Sequence, residues 1–197
     1  MREIELKGVV PDERAARALI EADGATLVFE GEFLDRRYDT PRRDLAMSDR
    51  VLRLRYQRAR DGESTVLALK GAASVEGGYK VREELGTGVE RAATMHDILS
   101  ALGYIITREI DREVAVYVHH GAVVRFERYP RMDVLVEVEG EPDSIERAIA
   151  ALRIPREHFT ADALAAFVRA YEERTGARAA ICQSELTGEF RYPLDDA

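Results

Sequence analysis

Apolar and polar side chains alternate along most of this chain. Alternation with a period of two indicates β-strands, and short turns between consecutive strands indicate antiparallel pairing. Turn-forming pairs such as Asp61-Gly62 and Gly77-Gly78 separate several of the alternating segments. The pattern predicts an antiparallel sheet built from strands at residues 2–9, 32–40, 50–59, 64–71, 79–88, 106–118, 122–129 and 132–140.

Four other segments space their apolar residues as a helix does. We expect Asp12 and Thr94 to cap the first two of these helices. In the last one, Leu164, Val168 and Tyr171 form an apolar stripe. Strands outnumber helices, which makes the predicted fold class α+β. The predicted helices run from Glu13 to the Asp23-Gly24 pair, from Met95 to Leu102, from Ser144 to Leu152, and onward from about Thr160.

The chain has 197 residues, enough for one domain with a substantial core. After Gly176 no periodicity is visible. We therefore expect one domain over residues 1–175, followed by a C-terminal tail over residues 176–197 that is an appendage to it.

The polar face of most predicted strands carries charges, often as pairs of one sign. An ordinary sheet with one solvated face explains any single strand. Across the set, however, Glu3 and Glu5 share one face about 7 Å apart, as do Glu137 and Glu139. Such pairs become favourable when a hard cation such as Mg²⁺ or Mn²⁺ lies among their oxygens. The other charged faces carry Lys7, Arg53 with Arg55, Lys70, Arg82 with Glu84, and Arg125 with Glu127.

The basic residues come from other strands than most of the acidic pairs, as a polyphosphate site needs. Arginine offers paired donors to phosphate oxygens, and lysine offers a compact positive charge. A closed barrel would bring all these groups into its interior and turn the apolar faces outward against the helices. The pattern therefore predicts an antiparallel β-barrel around a charged tunnel that binds a triphosphate and divalent metal ions.

The overall charge narrows the range of partners. Acidic residues number 37 and basic residues 29, for a net charge of −8, so we expect no nucleic-acid partner. No apolar run approaches the roughly 18 residues that span a bilayer, so we expect no membrane partner. The N-terminus has acids where a signal peptide is apolar, and the expected location is cytoplasmic. The one cysteine, Cys182, excludes an internal disulfide framework and is expected to be incidental.

Other common sites are not indicated. The histidines lack zinc-ligand spacing, and His119-His120-Gly121 is typical of a hairpin turn. No GxxxxGK[ST] sequence occurs, so phosphate binding would not use a P-loop. The Arg36-Arg37 and Arg42-Arg43 pairs are interpreted as solvated turn residues, with a loop at the tunnel mouth that draws in an anionic substrate as the alternative. Tyr38 and Tyr79 are interpreted as residues of the barrel wall.

Several motifs, in this order, resemble those of the CYTH domain family, also called triphosphate tunnel metalloenzymes. The first is Glu3-Ile4-Glu5-Leu6-Lys7, which matches the family's opening ExExK signature. The similarity extends from Met1 to about Tyr171. The later motifs are Tyr38-Asp39-Thr40-Pro41, Leu52-Arg53-Leu54-Arg55, Leu67-Ala68-Leu69-Lys70-Gly71, Lys80-Val81-Arg82-Glu83-Glu84 and Val136-Glu137-Val138-Glu139.

The resemblance implies an eight-stranded antiparallel tunnel with helices packed outside, and it implies roles for single residues. Mg²⁺ or Mn²⁺ would be held by Glu3, Glu5, Glu137 and Glu139. Glu127 and Lys70 are the candidate catalytic residues, and Glu84 is expected to be a structural partner of a tunnel arginine. A homodimer is implied by the resemblance alone. The triphosphate would be bound by Lys7, Arg53, Arg55, Lys70, Arg82, Arg112 and Arg125.

The chain departs from the family pattern at two places. Ile110 stands where we align a family lysine two positions before Arg112, and Arg108 on the same strand face is a candidate substitute. Glu127 stands where many members have aspartate, which keeps the carboxylate on a longer arm.

The similarity to family members leaves three functions open. The stretch from Tyr38 to Arg55 is most similar to the class IV adenylyl cyclase branch, which converts ATP to cyclic AMP and pyrophosphate. A phosphohydrolase acting on inorganic triphosphate, thiamine triphosphate or a nucleotide is the first alternative. A module that binds polyphosphate or a nucleotide without turnover is the second.

Overall fold

The alternating segments form a closed barrel in the computed structural model, which describes residues 1–188 and 190–193. Glu189 and residues 194–197 of the predicted tail lie outside the described residues. The strands are β1 (Arg2–Val9), β2 (Thr26–Asp39), β3 (Val51–Ala59), β4 (Gly62–Lys70), β5 (Ser74–Glu76), β6 (Tyr79–Gly88), β7 (Ile105–His119), β8 (Ala122–Arg128), β9 (Leu135–Glu139) and β10 (Phe159–Thr160).

Eight of these strands make the barrel, in the order β1-β9-β8-β7-β2-β3-β4-β6. All pairings are antiparallel, and β6 pairs back to β1, with Glu3 opposite Arg82, so the sheet closes on itself. The short β5 and β10 add to β6 and β1. The predicted eight-stranded antiparallel barrel of the α+β class is therefore confirmed.

Two strands begin more than two residues from their predicted starts. β2 begins at Thr26 and not at residue 32, because a register shift between Leu27 and Phe29 interrupts the alternation in its first half. β9 begins at Leu135 and not at residue 132, because Arg131 pairs with Ala180 of the tail instead.

The helices are α1 (Glu13–Ala22), α2 (Ala92–Ala101), α3 (Pro142–Leu152) and α4 (Leu164–Thr175). Asp12 caps α1 as predicted, since its Oδ1 accepts a hydrogen bond from the Ala15 N–H at 3.0 Å. The prediction that Thr94 caps α2 is wrong. That helix begins two residues before Thr94, at the strong helix formers Ala92 and Ala93, and has no side-chain cap.

The starts of α3 and α4 also differ from the prediction. α3 begins at Pro142, because proline fits the first helical position, where no N–H is needed. α4 begins at Leu164 and not near Thr160, because Thr160 belongs to β10 and pairs with Lys7 of β1. Its predicted apolar stripe is retained, with Leu164 and Val168 buried and Tyr171 packed against the same cluster. None of the helices in the described part of the chain has the length and apolar character needed to cross a bilayer.

Apolar side chains of the barrel point outward and pack under the helices. Ile4, Leu6 and Val138 belong to one buried cluster with residues of α1 and α3, such as Ile20 and Ile145. A second outer cluster joins the strands to α2 through Tyr38, Leu54 and Leu99. These two clusters cover the outer face of the barrel, and the strands' charged faces are left for its interior, beside a smaller apolar cluster of Phe33, Val114 and Val116.

Part of the predicted tail packs against the barrel. Ala179, Ala180, Ile181 and Cys182 are buried, and the Asp111 N–H donates to the Ile181 carbonyl at 2.8 Å. The tail covers the half of β7 before residue 113, which lies beyond its pairing with β8. These residues are therefore a covering of the barrel wall and not an appendage, whereas a domain boundary at residue 175 stays a prediction.

Candidate active site

The barrel encloses a cavity of about 270 Å³ with a charged lining. The inward face of every barrel strand contributes to it, as the alternation predicted. All twelve residues predicted for the site line this one cavity, although their individual roles stay predictions. They are Glu3, Glu5, Lys7, Arg53, Arg55, Lys70, Arg82, Arg112, Arg125, Glu127, Glu137 and Glu139.

Four glutamates on the neighbouring strands β1 and β9 form a carboxylate wall: Glu3, Glu5, Glu137 and Glu139. Glu5 and Glu139 are directly opposite each other in the strand register. Directly opposed side chains have Cβ atoms about 4.5–5.5 Å apart, where like charges destabilise a sheet. Two acids at such positions need a cation between or beside them.

Protein cations supply part of that compensation. Lys70 Nζ lies 2.6 Å from both oxygens of Glu3, and Lys80 Nζ lies 2.8 Å from Glu5 Oε1. Lys7 Nζ lies 2.8 Å from Glu137 Oε2. Glu139 has a more distant partner, since its closest guanidinium nitrogen, on Arg125, is 3.9 Å away.

The pKa values of the carboxylate wall reflect this incomplete compensation. Burial raises the pKa of Glu139 to about 7, and the charges of Glu3 and Glu137 raise it against the opposing effect of Arg125. Burial also raises the pKa of Glu3, despite its contact with Lys70. The carboxylate wall therefore has negative charge that its protein partners do not fully neutralise.

This donor set fits a hard divalent cation. Carboxylate oxygens are the ligands that Mg²⁺ and Mn²⁺ prefer, and crowded, partly uncompensated carboxylates gain most from binding such an ion. Glu3, Glu5, Glu137 and Glu139 are the residues that would hold it.

Basic side chains dominate the wall formed by β2, β3 and β7, and Asp35 lies at its centre. Asp35 is 3% exposed and accepts hydrogen bonds from Arg55 at 2.7 and 2.8 Å and from Arg112 at 3.1 Å. Burial would raise the pKa of Asp35, but the charges of Arg55 and Arg112 outweigh it and hold the pKa well below its ordinary value. Asp35 fixes the two guanidinium groups with their remaining donors available to other acceptors.

Glu127 is bound by donors on both oxygens. Arg112 Nε donates to Oε1 at 2.8 Å, and the Tyr129 hydroxyl donates to Oε2 at 2.7 Å. Burial would raise the pKa of Glu127, but Arg112 and Lys7 together lower it. A carboxylate held in this way is a weak proton acceptor, so its geometry suits positioning Arg112 better than acting as a general base.

Arg53 and Lys70 share a carboxylate partner at the other side of the basic wall. Glu84 lies 3.2 Å from Arg53 and 3.0 Å from Lys70, which agrees with its predicted contact with a tunnel arginine. Arg82 donates hydrogen bonds to the carboxylate and the carbonyl of Asp49, which lies in the connection between β2 and β3.

Among the described lining residues, sequence reasoning missed four with polar or charged side chains, namely Asp35, Arg37, Lys80 and Tyr129. The interpretation of Arg37 as a solvated turn residue is wrong, because it lies within β2 and faces the cavity, whereas Arg36 faces outward. Arg37 and Asp35 are two positions apart and share a face, which is the signal that could have identified both. Ile110 lines the cavity as its alignment implied, and Arg108 is fully buried.

A second group of potential metal ligands lies outside the tunnel lining, where the β7–β8 hairpin meets the end of α1. Ligand atoms of Asp23, His119 and His120 lie within 4.8 Å of one another. His119 Nε2 is 2.8 Å from Asp23 Oδ2, a contact that ties the hairpin to the helix end. The positive φ values of His120 and Gly121 agree with the predicted turn.

A closed antiparallel barrel with a carboxylate wall and a basic wall forms a tunnel suited to a polyanion and a cation. The profile of the CYTH domain matches residues 1–156, and the chain belongs to the CYTH domain family. Members of this family are in general enzymes, either cyclases or triphosphatases. A comparison with curated proteins gives no match.

Solved structures show the same fold at low sequence identity. A protein of Vibrio parahaemolyticus described as a candidate adenylate cyclase is 17% identical, with a TM-score of 0.71 over 85% of this chain and 97% of its own. A protein of Pyrococcus horikoshii is 20% identical, with a TM-score of 0.68 over 82% and 94%. The Hippeastrum protein HpAC1, described as a candidate adenylyl cyclase with a dominant triphosphatase activity, is 15% identical, with a TM-score of 0.57 over 98% of both chains.

Proposed function

We propose that the chain is a divalent-metal-dependent enzyme that hydrolyses a triphosphate, with Mg²⁺ or Mn²⁺ as its cofactor. The observation that carries the proposal is the composition of the tunnel lining. Among the residues that the structure describes, nine lysine and arginine side chains face seven carboxylates in this lining, in a chain whose net charge is −8. A cavity of net positive charge inside an acidic protein is suited to a small, highly charged anion.

The basic wall would bind the phosphates, and the carboxylate wall would bind the cation. Arg53, Arg55 and Arg112 would donate to phosphate oxygens, and Asp35 holds two of them in place beforehand. Lys70 would exchange Glu3 for a phosphate oxygen, which frees that carboxylate for the cation. When bound, the cation supplies charge neutralisation of the phosphates and a more acidic water. Donors fixed before the reaction stabilise developing charge without reorganising.

The lining also favours hydrolysis over cyclisation. Among the described residues that line the cavity, Tyr129 is the one aromatic residue. Its side chain is buried, and the guanidinium carbon of Arg112 lies 6.0 Å from the centre of its ring. The described lining therefore offers no free aromatic face for stacking a nucleobase. A phosphate chain with its bound cation can engage both the basic side chains and the carboxylates of the tunnel without any contact to a base. The favoured substrate is therefore inorganic triphosphate or the terminal phosphates of an organic triphosphate.

Adenylyl cyclase activity is the second candidate. It is favoured by the similarity of the Tyr38–Arg55 stretch to the class IV cyclase branch. In that reaction the ribose 3′-hydroxyl of ATP attacks the α-phosphate, and pyrophosphate leaves. The same walls would hold the phosphates, with the nucleoside beyond the tunnel mouth.

The test is incubation of the purified chain with Mg²⁺ or Mn²⁺ and, separately, tripolyphosphate, thiamine triphosphate and ATP, with products resolved by phosphorus NMR. Metal-dependent release of orthophosphate supports the triphosphatase. Formation of cyclic AMP with an equal amount of pyrophosphate would instead show that the chain is an adenylyl cyclase. Binding without turnover of any substrate would leave a non-catalytic polyphosphate-binding module.

A pair of variants separates tunnel chemistry from contaminants. Turnover should be lost in a Glu137→Ala/Glu139→Ala variant, which removes half of the carboxylate wall. It should be kept in Glu83→Ala, a change on β6 at a side chain that is 75% exposed. Equal activity in both variants would contradict the proposed site.

A further inference from the structure

Two adjacent histidines meet at the turn between β7 and β8. Consecutive side chains on a strand point to opposite faces, but His120 directly follows the last residue of β7 and has a positive φ of 45°. The rings of His119 and His120 consequently lie against each other, edge to face, with their centroids 4.4 Å apart. The turn thus places two imidazole rings together.

A carboxylate from a distant part of the chain joins the two rings. Asp23 directly follows α1, and its Oδ2 lies 2.8 Å from Nε2 of His119. Ligand atoms of Asp23, His119 and His120 all lie within 4.8 Å of one another, and we call these three residues the histidine cluster. Around a tetrahedral zinc ion, bonds of 2.0–2.2 Å place ligand atoms about 3.4 Å apart. Asp23 and His120 are exposed, so small movements of these two side chains would reach that geometry.

His119 is the fixed member of the histidine cluster. Its side chain is fully buried, whereas that of Asp23 is 57% exposed and leaves a path for an ion. Nδ1 of His119 has no hydrogen-bond partner among the residues that the structure describes. No bond to Nδ1 therefore has to break if the ring proton moves to that nitrogen, which frees the Nε2 lone pair for a metal ion.

The surroundings of the histidine cluster carry charges of both signs. The end of α1 is the negative end of its helix dipole, and its last turn, all of which the structure describes, contains no basic residue. Arg147 and Arg153, however, line the surface pocket beside Asp23 and His120, and Arg147 donates to the His120 carbonyl at 3.5 Å. Because these arginines oppose a cation, binding depends on the imidazole nitrogens, which favour Zn²⁺ and similar ions over Mg²⁺.

We propose that the histidine cluster binds a transition-metal ion such as Zn²⁺ through Nε2 of His119, a ring nitrogen of His120 and the carboxylate of Asp23. Water completes the coordination on the exposed side. The ion joins the β7–β8 hairpin to the end of α1. The site is distinct from the carboxylate wall, because its ligands include nitrogen and none of its three residues is among those that line the tunnel in the described part of the chain.

The experiment is titration of the full chain with ZnCl₂ in excess Mg²⁺, followed by NMR of the four histidine rings. Excess Mg²⁺ competes for the carboxylate wall, and the ring signals assign the response to single residues. Zn²⁺ should shift the signals of His119 and His120 at concentrations at which those of His96 and His158 do not change.

Two variants each remove one ligand and leave the buried His119 in place. Asp23→Asn keeps an acceptor for His119 but loses the carboxylate, and His120→Asn introduces a residue type that tolerates a positive φ. Either change should weaken Zn²⁺ binding by about tenfold or more, since even the loss of an outer-shell partner costs about 10–100-fold in metal affinity. The control His158→Asn, at an exposed histidine outside the cluster, should bind Zn²⁺ within twofold of the parent.

Thermal unfolding gives a second readout. Saturating Zn²⁺ should raise the melting temperature of the parent by about 3 °C or more, and the same concentration should raise that of Asp23→Asn by less. Equal Zn²⁺ affinity of Asp23→Asn and the parent would overturn the proposal. Equal shifts at all four histidines, or no shift at His119, would also overturn it. Triphosphate turnover is not measured here, so either outcome leaves the proposed function untouched.

Discussion

Asp35→Asn tests whether the basic wall depends on one buried carboxylate. The replacement keeps the shape of the side chain and a carbonyl acceptor, but it removes the negative charge that Arg55 and Arg112 share. Asp35 is 3% exposed, and the side chains of Arg55 and Arg112 are 7% and 6% exposed. Water therefore has little access to compensate for the loss.

The expected cost follows from this burial. Breaking a buried ion pair by removing one partner costs about 3–5 kcal/mol, because the other charge is left uncompensated. The cavity beside the pair admits some solvent, so we expect the lower end, about 3 kcal/mol. For a domain of this size that loss corresponds to a fall in melting temperature of roughly 6–12 °C.

Urea and thermal unfolding at pH 7 of the parent, Asp35→Asn and Glu32→Gln would measure the effect. Glu32 lies on the same strand but forms an exposed ion pair with Arg58, which should be worth about 1 kcal/mol or less. Methylene-bridged tripolyphosphate at 100 times its dissociation constant should restore about 2.7 kcal/mol to any variant that still binds it. An Asp35→Asn cost below about 1 kcal/mol, or equal to that of Glu32→Gln, would refute the reasoning.

Three further changes have clear expected outcomes. The folded chain keeps a proton on Glu139 up to a pKa of about 7, whereas the unfolded chain releases it near 4.5, so this group makes stability fall as pH rises between those values. The melting temperature of Glu139→Gln relative to the parent should therefore increase from pH 5 to pH 8, and a constant difference would contradict this. Ile181→Ala should lower the free energy of unfolding in urea by about 2–4 kcal/mol, although Ile181 lies in the tail, because its side chain is buried. The control Leu186→Ala should lower it by less than about 1 kcal/mol, because Leu186 is 37% exposed; equal costs would mean that the tail is not packed. Gly31→Ala should lower the free energy of unfolding by about 3 kcal/mol, because the added Cβ would lie 2.1 Å from the Arg58 carbonyl oxygen. In the control Gly86→Ala the added Cβ has no contact closer than 3.9 Å, so its free energy of unfolding must remain near that of the parent.

Alternation predicted the barrel interior well wherever one strand face is charged and the other apolar. β1, β3 and β9 have that form, and Glu3, Arg55 and Glu137 therefore lie inside as expected. The second half of β2 does not have it, because charged residues occur on both faces between residues 32 and 39. The face of Asp35 and Arg37 is set by pairing with β3 and β7, which a single sequence does not contain.

The tail and α2 differ from the prediction for two different reasons. Ala179–Cys182 is too short an apolar run to have a period, and its burial depends on the half of β7 that β8 leaves uncovered. α2 begins at two alanines that favour a helix without any cap, so the search for a capping residue placed its start too late. The burial of the tail thus depends on a contact distant in sequence, whereas the start of α2 depends on a local helix preference that is not a capping signal.

Most of the apolar core and the charged tunnel lie on opposite sides of the barrel wall. Two apolar clusters that join the barrel to α1, α2 and α3 lie between its outer face and these helices. The interior, by contrast, places charges where desolvation opposes them, and pairing offsets this only in part, as the raised pKa of Glu139 and the lowered pKa of Arg37 show. Binding a cation at one wall and an anion at the other relieves both imbalances at once, so each ligand should increase the affinity for the other. Because the outer core carries the fold, most tunnel substitutions should change this coupling more than stability, with Asp35 as the exception that links the two.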